Sequence, residues 1–109
     1  MSPSDQAQTI KIKIENRGGE KKSFVKPGKR HAKKNDTVTW KMEDSSAVFF
    51  FPEKKLFGET EYRVSKGETL SLTVNDNNSI EKGVYPYAVF TDNNEFAKGG
   101  SYPKIIIDD

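Results

Sequence analysis

Cysteine is absent from the 109-residue sequence, and histidine occurs only once, at His31. Without cysteine the chain can form no disulfide, and it offers no thiolate nucleophile and no ligands for a zinc ribbon or an iron–sulfur cluster. A single histidine nearly excludes a histidine-based metal site within one chain. The composition therefore predicts a protein that uses no cofactor and is not an enzyme with a nucleophilic thiol.

Long apolar runs are also missing, so the sequence predicts no membrane-spanning segment. The first eight residues, MSPSDQAQ, contain neither a basic region nor an apolar core and do not resemble a signal peptide. A cytoplasmic protein fits this pattern, and so does a mature secreted domain made without its leader. We expect residues 1–8 to be flexible and residues 9–109 to form one domain.

The remaining pattern is that of short strands. Hydrophobic residues make up only 33% of the chain, but aromatic residues reach 11%, so a few large side chains can fill a thin core. Apolar and polar residues alternate over residues 9–15, 36–42 and 69–74, as in half-buried strands. Residues 83–107 are expected to form two strands joined by a polar loop. With turn residues between such runs, the sequence predicts an all-β, two-sheet Greek-key sandwich of seven to eight strands.

Three segments resemble sequence motifs of the cupredoxin family. Residues 34–40, KNDTVTW, are similar to the family's G-D-T-V-T-W strand, with Asn35 in place of the usual glycine. Residues 66–74, KGETLSLTV, are similar to the strand before the metal-binding hairpin, and residues 83–89, GVYPYAV, resemble its G-x-Y-x-Y-x-C motif. The resemblance covers most of residues 9–107 and implies a cupredoxin-like sandwich.

Cupredoxins typically hold one copper ion with two His, one Cys and often a Met, and they transfer single electrons. The resemblance implies that these ligands are replaced here. The first His position falls at Val48, eight residues after Trp40, the Cys position falls at Val89, and the second His position falls at Asp92. Valine cannot coordinate a metal, and one carboxylate is not a soft copper site. We therefore expect the scaffold without type 1 copper, with Val48 and Val89 extending the apolar core at a common end.

These absences predict a non-catalytic binding or structural domain that recognises another protein through the loops at the former metal end. The candidate contact residues are Phe50, Phe51, Leu56 and Phe57. Because residues 49–51 are all phenylalanine, at least one of them must face away from the core. The alternative is that both faces of this strand are covered, one by the opposite sheet and the other by the connector at residues 52–60.

A second hypothesis is binding of a polyanion, either nucleic acid or an acidic polysaccharide. Residues 1–41 contain eleven Lys and Arg against four Asp and Glu, whereas residues 42–109 contain seven against twelve. Such asymmetry can attract polyanions. The alternative is a solvated edge strand whose lysines discourage pairing with another sheet. The basic cluster comprises Lys21, Lys22, Lys26, Lys29, Arg30, Lys33 and Lys34.

Oxygen-bearing side chains suggest two weaker hypotheses. The loops at residues 75–78 and 92–95 contain calcium-type ligands, but they match no EF-hand spacing, and such residues are ordinary turn formers. An enzyme with paired carboxylates, drawn from Asp36, Glu43 and Asp44, would need two acids that converge across a cleft. The sequence does not place these acids together, and it predicts that the chain is not an enzyme.

Overall fold

The computed structural model describes residues 9–75, 80–92, 95–97 and 103–108. These residues contain eleven strands and one single-turn helix. In chain order the elements are β1 Ile10–Arg17, β2 Glu20–Lys26, β3 Lys29–Ala32, β4 Thr37–Met42, β5 Ala47–Phe50, α1 Lys54–Phe57, β6 Glu61–Val64, β7 Thr69–Thr73, β8 Gly83–Pro86, β9 Ala88–Thr91, β10 Glu95–Phe96 and β11 Lys104–Ile107.

The strands form three sheets, with the orders β2-β1-β4-β7, β10-β9-β5-β6 and β3-β11-β8. The pairs β1–β4 and β3–β11 are parallel, and the other pairs are antiparallel. The expected all-β sandwich is confirmed. The strand count exceeds seven or eight because the chain changes sheets in mid-strand. One such break is at Pro27, which lacks a backbone N–H for the ladder, and another is at Tyr87.

The stretch at residues 83–107 is more than the simple hairpin that the sequence suggested. Strand β8 pairs with β11, as expected, but β9 pairs with β5 in a different sheet. The two strands are separated by Tyr87, whose backbone N–H donates to the Pro103 carbonyl at 3.1 Å. The second and third sheets are therefore linked by one continuous stretch of chain.

The core is an aromatic cluster centred on Trp40. Its indole ring lies 5.6 Å from Phe49, 5.6 Å from Phe51, 5.9 Å from Phe57 and 5.7 Å from Tyr87, measured between ring centroids. Its Nε1–H donates to the Tyr87 hydroxyl at 3.0 Å, which satisfies a buried donor. Burial raises the pKa of Tyr87 well above its usual range, so this hydroxyl stays protonated.

The alternating patterns predicted the buried faces correctly. Ile10 and Ile12 of β1 are fully buried, and so are Val38, Trp40 and Met42 of β4. The lysines between them point to the other face of the sheet, as the period of two requires. The first sheet therefore has one apolar face that packs into the core and one charged face toward solvent.

The connector after β5 contains α1, a single helical turn. Leu56 and Phe57, the last two residues of α1, have buried side chains. Gly58 ends the helix with φ 101°, a left-handed conformation that glycine adopts without a steric penalty. Within the described residues, no helix has the length and apolarity needed to cross a membrane.

We expect Tyr87→Phe to destabilise the fold by about 1–3 kcal/mol, because it leaves the buried Trp40 N–H without an acceptor. Tyr62→Phe is the matched control. Its hydroxyl donates to the Phe57 carbonyl over a longer 3.3 Å and is only partly buried, so the loss should stay below about 1 kcal/mol. Urea unfolding of both variants measures the difference. Equal losses, or no loss in Tyr87→Phe, would contradict the assigned role of the indole hydrogen bond.

Candidate functional site

The second sheet, β10-β9-β5-β6, exposes large aromatic side chains on its outer surface. Among the described residues four large hydrophobic side chains are exposed, and three of them belong to this sheet. Their exposed fractions are 48% for Phe50, 37% for Phe90 and 60% for Phe96. Exposed aromatic side chains that lie close together mark interaction surfaces more often than scattered ones do.

Strand register places these side chains in adjacent positions. Phe96 lies opposite Phe90, Phe90 lies opposite Val48, and Val48 lies opposite Arg63. Residues directly opposite each other share a face of the sheet, so these four form one row across all four strands. Phe50 is two residues from Val48 and lies on the same face. We call Val48, Phe50, Phe90 and Phe96 the aromatic face.

A shallow cavity of about 290 Å³ opens beside this row, with Val48, Arg63, Phe90 and Asp92 among its lining residues. This volume is at the lower limit of pockets that enclose small molecules, which run from about 300 to 1,000 Å³. The cavity is suited to one side chain of a partner molecule better than to an enclosed substrate.

Asp92 connects the end of β9 to the turn before β5 through hydrogen bonds. Its carboxylate accepts hydrogen bonds from the Ser45 hydroxyl at 2.5 Å and the Ser46 hydroxyl at 3.2 Å. The bond from Ser45 is the main cause that lowers the pKa of Asp92, and it outweighs partial desolvation. The carboxylate therefore stays ionised and holds the corner of the sheet in place.

The two valines at the predicted copper-ligand positions do not converge. Val89 is fully buried and extends the core, as expected. Val48, however, lies opposite Phe90, while Phe49 lies opposite Val89. Because side chains alternate along a strand, Val48 and Val89 point to opposite faces of the sheet. The prediction that both valines extend the core at a common end is wrong for Val48, which is half-buried on the outer face.

The residues that meet Asp92 are Ser45 and Ser46. The turn before β5 lies beside the end of β9, whereas Val48 lies further along β5. The spacing of eight residues from Trp40 did not predict that Ser45 and Ser46 are the neighbours of Asp92, because the length of an irregular turn does not follow from a strand motif.

The predicted partner-contact patch is wrong for three of its four members. Phe51 is 1% exposed, Leu56 is 1% exposed and Phe57 is 9% exposed, because all three pack into the aromatic cluster around Trp40. Only Phe50 is available at the surface. The prediction that one of the three consecutive phenylalanines faces away from the core is therefore confirmed. Sequence reasoning missed Phe96 because nothing local indicated that a short strand, β10, would extend this sheet.

The basic segment at residues 21–34 does not form one surface. Lys22 and Lys26 lie on the outer face of the first sheet, whereas Lys21 borders a separate depression. Lys29 is exposed on β3 in the third sheet. Arg30 is only 5% exposed, and its guanidinium donates to the backbone carbonyl of the next residue. Strand alternation and the passage from β2 to β3 disperse these charges, so the prediction of one continuous basic site is wrong.

The last two lysines of that segment belong to the turn before β4. The Lys33 backbone N–H donates to the Asp36 carboxylate at 2.9 Å, so Asp36 stabilises the turn. Lys34 directly follows Lys33, and its side chain is partly exposed. The turn leads the chain from the third sheet back to the first.

The candidate catalytic acids are separated by their structural roles. Glu43 pairs with Lys11 and Lys13 at 3.8 and 3.6 Å, and Asp44 accepts from the Ile14 backbone N–H at 2.8 Å. Asp36, Glu43 and Asp44 thus each have a different structural partner, and the convergence that carboxylate catalysis would need is not formed by these three acids.

A different set of acids, Glu15, Asp44 and Asp92, borders one depression of about 470 Å³. Hydrogen bonds from Lys26 and then Arg17 lower the pKa of Glu15 to about 2, and the pKa of Asp92 is also lowered. A general acid working near neutral pH needs a raised pKa. Neither Glu15 nor Asp92 therefore fits the role of a general acid near neutral pH.

The donor atoms present do not fit type 1 copper. The sequence has no cysteine, and Nδ1 of His31 lies 2.9 Å from the Asp108 carboxylate on the third sheet, away from Asp92 on the second. Copper sites of this type need thiolate and imidazole together. Across residues 9–75, 80–92, 95–97 and 103–108, no group of three or more His, Cys, Asp or Glu could hold a metal ion. Residues 76–78 and 93–94 of the two oxygen-rich loops lie outside the described residues, so the calcium hypothesis stays a prediction.

Comparisons with known proteins identify the fold. No protein-family model matches the chain, and no curated protein sequence matches it. Solved structures of amicyanin mutants do match. A Cu(I) form at pH 4 has a TM-score of 0.51 and 20% identity, over 94% of this chain and 82% of that one. Two other mutants in the reduced state each have a TM-score of 0.54, at 20% and 21% identity, over 95% of this chain and 84% of theirs. The chain has the cupredoxin fold, as its motifs implied.

Truncating neighbouring phenylalanines tests this arrangement of β5. We expect Phe51→Ala to lower the free energy of unfolding by about 3–5 kcal/mol, because it opens a cavity between Trp40 and Tyr87. Phe50→Ala should change stability by less than about 1 kcal/mol, because its ring is already half in solvent. Thermal or urea unfolding measures both. A large loss in Phe50→Ala would mean that another part of the chain covers the aromatic face.

Proposed function

We propose that this chain, a cupredoxin fold without the residues for type 1 copper, is a non-catalytic recognition module that binds a partner protein transiently through the aromatic face. The observation that carries the proposal is the cross-strand row Phe96–Phe90–Val48, with Phe50 beside it. The chain has no cysteine to ligate type 1 copper, and the lowered pKa values of Glu15 and Asp92 do not suit a general acid.

The aromatic face is organised before a partner arrives. The rings of Phe90 and Phe96 meet edge to face, with centroids 5.0 Å apart and an interplanar angle of 69°. Both stand on paired strands, so little conformational freedom is lost when a partner covers them. Burying an aromatic side chain fully contributes about 1.5–3 kcal/mol, and the two rings still expose much of that area.

Charged groups lie at the margins of the aromatic face. Arg63 continues the row on β6, where its guanidinium pairs with Glu61 at 3.2 Å. Asp92 lies at the end of β9, at the rim of the shallow cavity. An apolar centre with a polar rim is the usual composition of a protein–protein interface. The cavity between Val48 and Asp92 has room for one anchoring side chain of the partner.

The size of the face favours a transient contact. The four strands lie about 4.8 Å apart; β5, β6 and β9 have four residues each and β10 has two, which gives a surface of roughly 200 Å². A standard stable interface buries about 800 Å² on each partner. The aromatic face alone is therefore too small for a stable dimer of this chain, which supports a partner protein that binds weakly and reversibly.

The test is a binding assay with matched variants. We expect Phe50→Ser/Phe96→Ser to weaken binding of the partner by at least about 30-fold, as for loss of two interface anchors. The partner would first be captured from the source cell by the wild-type chain, then identified, purified and titrated against each variant by calorimetry. The interaction should persist between low and high salt, because apolar burial is not screened.

Val84→Ser is the control, since this side chain is 53% exposed but lies on β8 in the third sheet. It should leave the affinity unchanged. If the double variant bound as tightly as wild type, or if salt abolished the interaction, the aromatic face would not be the recognition surface.

A further inference from the structure

Three lysines occupy one cross-strand row on the outer face of the first sheet. Lys26 of β2 lies opposite Lys11 of β1, and Lys11 lies opposite Lys41 of β4. Like charges directly opposite each other in a sheet are destabilising, so strand stability does not account for this row. We call the outer side of the first sheet, β2-β1-β4-β7, the lysine face.

The lysine face carries an excess of positive charge. Lys11 and Lys13 share a single carboxylate, that of Glu43, at the long distances of 3.8 and 3.6 Å. Glu15 pairs with Arg17 and Lys26 together. The six cations on its strands thus face three carboxylates, two of them on strands and Glu43 directly after β4. The full set is Lys11, Lys13, Arg17, Lys22, Lys26 and Lys41 against Glu15, Glu20 and Glu43.

Hydroxyl groups continue this face on β4 and β7. Thr39 bonds Ser71 at 3.0 Å, and Thr37 bonds Thr73 at 3.1 Å, through pairs of exposed side-chain hydroxyls. Each hydroxyl can donate one hydrogen bond and accept two, so these pairs keep capacity for a ligand. A sheet face with a cationic row and adjoining pairs of hydroxyls matches a polymer that carries both anionic groups and hydroxyls.

The aromatic content of the face argues against nucleic acid. Its one aromatic residue, Phe24, already has the Arg17 guanidinium 4.5 Å and the Lys26 ammonium 5.5 Å from its ring centroid. Single-strand binding relies on open aromatic rings for base stacking. Sequence-specific readout of a duplex uses a helix or a two-stranded ribbon in the major groove, whereas these charges lie across a four-stranded sheet face.

We propose that the lysine face binds a linear acidic polysaccharide. Its sulfate or carboxylate groups pair with Lys26, Lys11 and Lys41, and its sugar hydroxyls bond the Thr39–Ser71 pair. Adjacent strands are about 4.8 Å apart, so the lysine row spans roughly 10 Å, comparable with a disaccharide repeat. This site goes beyond the recognition function proposed above, because it lies on the other outer surface of the sandwich and uses none of the aromatic face.

Titration with size-defined heparin oligosaccharides tests the proposal by calorimetry at several NaCl concentrations. We expect Lys11→Gln/Lys41→Gln to weaken binding about tenfold or more and to reduce its salt dependence, because two charge contacts are lost. Glu15→Gln should tighten binding several-fold, because it releases Lys26 and Arg17 from their shared carboxylate. These opposite directions separate a specific site from a general loss of folding, which circular dichroism checks independently.

Lys54→Gln/Lys82→Gln is the control, with the same change in net charge at exposed positions outside the first sheet. It should stay within about twofold of wild type. Three results would overturn the proposal: no heparin binding at 50 mM NaCl, equal weakening in both double variants, or tighter binding of charge-matched single-stranded or duplex DNA. None of these results depends on the aromatic face, so the two proposals fail separately.

Discussion

The packing of Trp40 against the aromatic rings of the core determines which face of the chain around Phe50 is turned to solvent. Its indole meets four other aromatic rings at 5.6 to 5.9 Å, and its one polar atom is satisfied by the Tyr87 hydroxyl. Phe49 and Phe51 both contribute to this cluster, so the residue between them must point outward. The exposed ring of Phe50 is thus a direct consequence of how the core is filled, and β9 brings Phe90 beside the same face.

Much of this fold could be predicted from local sequence, because period-two alternation marks a half-buried strand without any knowledge of its neighbours. The buried faces of β1 and β4 followed from that pattern. Side-chain neighbours across strands could not be predicted, because register depends on pairing between distant segments. The sequence therefore predicted the wrong side of the sheet for Val48 and did not predict the exposed position of Phe96. The alignment of Lys11 with Lys26 and Lys41 likewise depends on the pairing of the strands.

Proteins of one fold can differ in their chemistry, so function depends on the residues present at the site. At the end of β9 this chain places Asp92 against two serine hydroxyls, which stabilise a corner of the sheet and supply no soft metal ligand. The two outer surfaces differ in character, one aromatic and one rich in lysine. The two proposed binding modes, apolar contact on one side and charge on the other, rest on this division.

The most direct measurement of the central claim is fluorine NMR of the chain with its seven phenylalanines labelled, in the presence of a soluble paramagnetic probe. The structure predicts strong broadening for Phe50, Phe90 and Phe96, and protection for Phe49, Phe51 and Phe57. Protection of Phe90 and Phe96 in the isolated monomer would show that another segment covers the aromatic face, and would contradict a recognition role for it.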